Sequence, residues 1–199
     1  MPDHTMIYGQ SFLCISFRGA ESLRTIGDTL FVNKARGYAS NLSAAVAEAS
    51  PSLAAIADGT FSREPVCTNS TLTSVGGAPF TVFAKSSYWD KELYADCVAP
   101  GLNASSLYVQ SWIRGGASGP QCGLTQVLDV SNINITGWEW RATQDHSKWA
   151  VTGDGSVGCV GDINRMASQA DRGGGAVCTS AGALGSALRA GVVGLSDSC

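Results

Sequence analysis

The chain has 199 residues, 44% hydrophobic and 15% charged, with a formal charge of −3 at pH 7. That balance excludes a disordered polymer and suits one domain large enough to bury a core. No apolar run approaches the roughly 18 residues needed to cross a bilayer, so no membrane association is expected.

In chain order, Gln10–Phe17 alternates and is rich in aromatic and branched residues, which predicts a strand. Asn41–Glu48 places Leu42, Ala45, Val46 and Ala49 on one helical face, with Ser40 as the cap. Pro51 either stops that helix or starts a second one. Ser70–Ser74 and Pro79–Lys85 form a hairpin around Gly76-Gly77. Trp89, Leu93 and Cys97, with Tyr94 and Val98, fall at helical spacing before Pro100-Gly101 ends the element. Leu107–Arg114 alternates as a strand, and Leu124–Ile135 holds another. The last helix is Thr179–Val193, with Leu184, Leu188 and Val192 as its buried stripe. Strands and helices are interspersed, which predicts an α/β (α+β) domain with a sheet flanked by helices.

The acidic charge argues on its face against nucleic acid, whose phosphates favour a basic surface. The objection weakens in acid. Near pH 5 both histidines gain protons and some of the 16 carboxylates begin to lose charge, their ordinary pKa being about 4. Seven cysteines (Cys14, Cys67, Cys97, Cys122, Cys159, Cys178 and Cys199) are unusual for a cytosolic chain. Glycosylation sequons stand at Asn41, Asn69, Asn103 and Asn134. Together these point to a secreted or lysosomal glycoprotein. The N-terminus has no basic start and no smooth apolar stretch, so it does not read as a signal peptide.

One segment concentrates unusual residues: Asp145-His146-Ser147-Lys148-Trp149, then Asp154, then Gly161-Asp162-Ile163-Asn164-Arg165. On a strand, a histidine two residues before a lysine puts both side chains on one face. Such a pair suits phosphodiester cleavage: the imidazole can attack phosphorus, and the ammonium can hold the non-bridging oxygens as charge builds. Asn164 can add a neutral donor, and neither metal nor cofactor is required. A lone HxK is a weak signal, and spacing alone favours a surface His and Lys beside an exposed Trp.

The segment resembles the signature of the phospholipase D superfamily, HxK followed by Asp and then Gly-x-x-Asn. That pattern sets the acid five residues after the lysine, whereas Asp154 comes six after Lys148. Further stretches resemble the deoxyribonuclease II family specifically. They are Tyr8-Gly9-Gln10-Ser11-Phe12-Leu13-Cys14, Leu72-Thr73-Ser74 with Phe83-Ala84-Lys85, Cys159-Val160-Gly161 through Arg165, and Arg172-Gly173-Gly174-Gly175 with Cys178. The resemblance implies one half of a duplicated, pseudo-dimeric phospholipase D-like fold, a mixed sheet flanked by helices. It implies a metal-independent acid endonuclease that cuts double-stranded DNA to 3′-phosphate ends, typically in lysosomes. By similarity His146 is nucleophile or general acid/base, Lys148 a phosphate ligand, Asn164 a phosphate donor, and Asp154 a further candidate. Arg172 beside its glycine run either helps hold the DNA backbone or is a solvated turn.

The resemblance also implies disulfides Cys159–Cys178 and Cys122–Cys199. Cys67 and Cys97, the remaining nearby pair, are expected to form a third. Cys14 is left over, either partnered in an N-terminal half that this chain lacks or a free thiol. Family members carry two HxK motifs, one in each half. His4 is followed by Thr5 and Met6 and cannot supply the second. The expectation is a single C-terminal domain over residues 1–199. Three readings follow: a truncated nuclease, a homodimer in which each copy contributes one pair, or a catalytically incomplete DNA-binding or structural remnant.

Overall fold

A computed structural model describes residues 9–113, 116–196 and 199. The hairpin expected around Gly76-Gly77 is present: β1 (Cys67–Thr73) pairs antiparallel with β2 (Pro79–Lys85), Cys67 opposite Lys85. Gly77 takes φ +83°, a left-handed conformation that glycine reaches without strain. The remaining strands are β3 (Ser106–Gln110), β4 (Gln126–Ile135), β5 (Trp138–Arg141), β6 (Trp149–Thr152), β7 (Gly158–Gly161), β8 (Gly174–Thr179) and β9 (Val192–Ser196). They join one mixed sheet in the order β1-β2-β8-β7-β6-β3-β4-β5, with β9 also on β4. Only β3 and β4 run parallel among the described strand pairs.

Side-chain alternation gives the sheet two apolar faces. One carries Phe83, Leu107, Val109, Ala150 and Ala176 and packs on a helical stretch, the π-helical turn Tyr94–Val98 continued by α4 (Ala99–Gly101). Glu92 caps that stretch, accepting the backbone N–H groups of Tyr94 at 3.0 Å and Ala95 at 2.7 Å. The other face carries Trp149, Val151, Val130 and Ile133 and packs on Leu188 of α5 (Leu184–Gly191). The β1–β2 end of the sheet is covered by α1 (Ala20–Val32), itself packed on α3 (Pro51–Ala57) and α2 (Ala44–Ala49). This is the α/β arrangement expected. No helix among the described residues is long and apolar enough to cross a membrane.

Several expectations are corrected. Gln10–Phe17 is not a strand; Ser16 O accepts Val75 N–H at 2.8 Å, and Gly9 bridges to Asp145. Alternation decides which side chains point inward, and Ile15 and Phe17 do line an apolar cavity beneath α1. A strand additionally needs a ladder of bonds to a neighbour, and Gln10–Phe17 pairs with none of the described strands. The helix near residue 41 starts later, at Ala44, because Ser43 rather than Ser40 caps it through Val46 N–H. Pro51 opens α3 as its first residue. The C-terminal helix is shorter than expected at both ends: Thr179 closes β8, and Val192 begins β9. Apolar spacing alone does not distinguish Val192 on a helix from Val192 on a strand. The strand expected to reach Arg114 leaves the sheet after Gln110, and Arg114 lies outside the described residues.

Disulfides join Cys67–Cys97, Cys122–Cys199 and Cys159–Cys178, the last directly across β7 and β8. Cys14 carries a free, exposed thiol. Asn41, Asn69 and Asn103 are exposed, whereas Asn134 is half-buried with its Oδ1 accepting Gly137 N–H at 3.1 Å.

Candidate active site

His146 and Lys148 lie not on a strand proper but on the extended segment that leads into β6. The segment keeps strand-like pairing on both sides. His146 N–H donates to Gly9 O at 2.9 Å, and Lys148 O accepts Gly161 N–H at 2.8 Å. Burial alternates along it: Asp145, Ser147 and Trp149 are buried, His146 and Lys148 half-exposed. The His146 and Lys148 side chains therefore share a face, as their spacing predicts.

The segment is braced from within. Asp145 Oδ1 accepts Ser147 N–H at 2.9 Å, and the fully buried Gln110 donates its Nε2 to Asp145 O at 3.3 Å. A Cβ at Gly9 would fall 2.7 Å from Asp145 Oδ1, so glycine is required for that close approach. Trp112 packs on the His146 ring with centroids 3.9 Å apart. The spacing of HxK gives no hint of Gln110 or Trp112, which arrive from β3 and the chain just after it.

The loop after β7 is held at four points. Asp162 Oδ1 accepts Gly175 N–H at 2.8 Å, and the buried Tyr94 hydroxyl donates to Ile163 O at 3.0 Å. Arg165 donates its backbone N–H to Ser111 Oγ at 3.0 Å and its guanidinium to Asp129 Oδ2 at 2.7 Å. These anchors fix Asn164, half-buried between Ile163 and Arg165, at the end of the sheet to which the His146–Lys148 segment belongs.

Charge at this end is mixed. Burial lowers the Lys148 pKa, the Arg172 guanidinium lowers it further, and the Asp145 and Asp162 carboxylates oppose both. Asp162 sits at an exposed position, yet its carboxyl turns inward. Burial of that carboxyl raises its pKa against the pull of Gly175 N–H, Arg172 and Lys148. Arg172 is exposed and donates to Gln169 Oε1 at 3.1 Å. Its glycine run is not an open anion cradle: Gly174 and Gly175 belong to β8, and the Gly175 amide is taken by Asp162. A Cβ at Gly175 would fall 2.3 Å from Phe83 O, so close sheet packing demands glycine there.

Asp154 is not brought to this end. It occupies the β6–β7 turn at the far end of β6, where its Oδ1 accepts Thr152 Oγ1 at 2.6 Å, Ser156 N–H at 3.0 Å and Ser156 Oγ at 2.8 Å. Those donors, the Thr152 hydroxyl first, lower its pKa to about 2. His4 lies outside the described residues.

A family profile for deoxyribonuclease II matches residues 1–197. The chain belongs to the deoxyribonuclease II family. It is 38% identical to deoxyribonuclease-2 of Caenorhabditis elegans over 89% of this chain and 48% of that protein. Plancitoxin-1 of Acanthaster planci is 35% identical over 89% of this chain and 51% of its own length. Deoxyribonuclease-2-alpha of Sus scrofa is 35% identical over 94% and 53%. The chain thus spans about half the length of these relatives.

Proposed function

We propose that this deoxyribonuclease II-family chain supplies one histidine–lysine pair of an acid, metal-independent endodeoxyribonuclease that cuts double-stranded DNA to 3′-phosphate ends. The observation that carries the reading is the shared half-exposed face of His146 and Lys148 on a segment whose alternate residues are buried. The imidazole attacks phosphorus, the bond from phosphorus to the 5′-oxygen breaks, and that oxygen takes a proton from a general acid; water then releases the 3′-phosphate. Lys148 and Asn164 hold the non-bridging oxygens. Acid favours the Lys148 ammonium, and it protonates the carboxylates that otherwise repel DNA. In the alternative assignment His146 is itself the general acid.

His146→Ala tests the reading. Cleavage of plasmid DNA at about pH 5 with chelator present is expected to vanish while the melting curve is unchanged. Cleavage at the original rate by the purified variant rejects the assignment.

The chain holds one HxK, and this favours a second reading in which activity needs a complementary pair from a second copy or from an N-terminal half. Sedimentation alongside the activity assay separates the cases. A compact active dimer supports self-association, and an inactive monomer supports a missing half. DNA binding without turnover under the same conditions marks the non-catalytic remnant. A lysosomal or secreted location is supported by the three disulfides and by the exposed sequons at Asn41, Asn69 and Asn103.

A further inference from the structure

Beside the His146–Lys148 end opens a polar groove of about 900 Å³, lined among others by Lys34, Arg36, Tyr38, Phe61, Asp171 and Arg172. Its two sides meet at a tight junction. A Cβ at Gly173 would fall 2.4 Å from Asn33 O and 3.0 Å from Lys34 Cβ, so glycine lets the Arg172 loop press against the end of α1. That loop is pinned from below by Lys85, which is fully buried and donates its ammonium to the carbonyls of Ala170 and Arg172. Lys34 turns off α1 at φ +62°, and its ammonium lies over the Phe61 ring, 4.4 Å from the centroid. Arg172 stands at the same sheet end as Lys148: it precedes β8, whose Ala176 pairs with Gly161, and Gly161 N–H donates to Lys148 O.

We propose that this groove is a track for the DNA backbone, binding phosphates away from the scissile one through Lys34, Arg36 and Arg172. The proposal rests on the reading that the chain acts on DNA. A chain with a formal charge of −3 can hold a polyanion only where its cations are gathered. Here three line one groove against the single carboxylate of Asp171 among the described lining residues. Arg172 lines the groove at the sheet end that also carries Lys148, so one strand can occupy both. Tyr38, 97% exposed, offers a flat apolar face to sugars or bases at the groove.

The test is the salt dependence of binding. A short fluorescent duplex is titrated at about pH 5 with chelator present, in a His146→Asn background that prevents cutting. The slope of log K against log salt is expected to shrink by about 0.9 for each phosphate that is no longer neutralised. Lys34→Gln with Arg36→Gln should therefore reduce it by about 2, equally for unrelated DNA sequences, with the melting temperature unchanged. Lys34→Arg should keep the slope. An unaltered slope in the doubly substituted chain overturns the track. So does an absence of salt-dependent DNA binding, or a preference for polyglutamate over DNA that depends on the same residues. Slope-dependent binding by a chain that never cuts DNA leaves the track standing and removes the cleavage reading instead.

Discussion

The indole of Trp112 lies against the imidazole of His146, ring centroids 3.9 Å apart and planes inclined at 51°. Trp112 is anchored by its Nε1–H, which donates at 3.1 Å to Thr143 O, three residues before His146 on the same segment. The tilted indole is a wall that limits where the imidazole can swing. Trp112→Leu is expected to lower kcat for DNA cleavage by roughly 10- to 100-fold, since a displacement of about 1 Å at a reacting group can cost that much. KM should change little, and Trp112→Phe should recover much of the rate. Wild-type kcat in the leucine variant would show that the ring is held by other groups.

Arg165 is completely buried, and its guanidinium meets Asp129, also buried, at 2.7 Å; Glu92 Oε2 stands 3.7 Å from its Nε. Arg165→Ala would leave the Asp129 carboxylate inside the sheet without its principal cation. Urea unfolding is expected to show a loss of about 3–5 kcal/mol, the cost of breaking one side of a buried pair. Replacing both partners, Arg165→Met with Asp129→Leu, should lose less than Arg165→Ala alone. A loss under about 1 kcal/mol would place the pair with solvent-screened surface bridges.

Burial pushes the Glu92 carboxyl up from its ordinary value of 4.5, against the pull of the Tyr94 and Ala95 amides and Arg165. The folded chain therefore binds this proton more tightly than the unfolded chain. The resulting stability is fully present below the unfolded value and is lost as pH rises through the raised folded value. Asp162 acts in the same sense. Glu92→Gln is expected to flatten the dependence of melting temperature on pH across that window. Calorimetric melts from neutral to acid pH check it, and superimposable slopes for the two proteins would contradict it.

Asp154 serves its turn, with three donors on one oxygen. Its folded pKa of about 2 lies below the ordinary 3.8, so its stabilisation is present above 3.8 and disappears as pH falls toward 2. Asp154→Ala is expected to lower the melting temperature at pH values above that window while leaving kcat per folded molecule intact. A selective fall in kcat with an unchanged melt would instead tie Asp154 to the chemistry.

Much of this arrangement is legible in the sequence. A Ser/Thr-rich run and an apolar run on either side of a glycine pair mark the β1–β2 hairpin, and HxK dictates that His146 and Lys148 share a face. The longest helix, α1, is harder to read. Its apolar residues, Leu23, Ile26 and Leu30, are spaced helically, but Gly27 interrupts the pattern; it is needed because a Cβ there would fall 2.1 Å from Ser50 Oγ. The extent of α5 is hidden because a helix end and a strand start merge in one apolar stretch. Asp154 joins the site by its place in a motif, although motif order does not say at which end of a hairpin a residue lies.

By itself, the sequence determined what is local and periodic: the shared face of His146 and Lys148, the turns, the family, and the content of cysteines. The tertiary structure alone decided which distant groups converge. Trp112 on His146, Arg165 on Asp129, and Lys34 and Arg36 beside Arg172 meet across long stretches of chain, set by strand order and by the edges left open in the sheet. Periodicity carries the direction of a side chain but not the identity of the neighbour it meets, and in this protein the neighbours set the charge and geometry of the site.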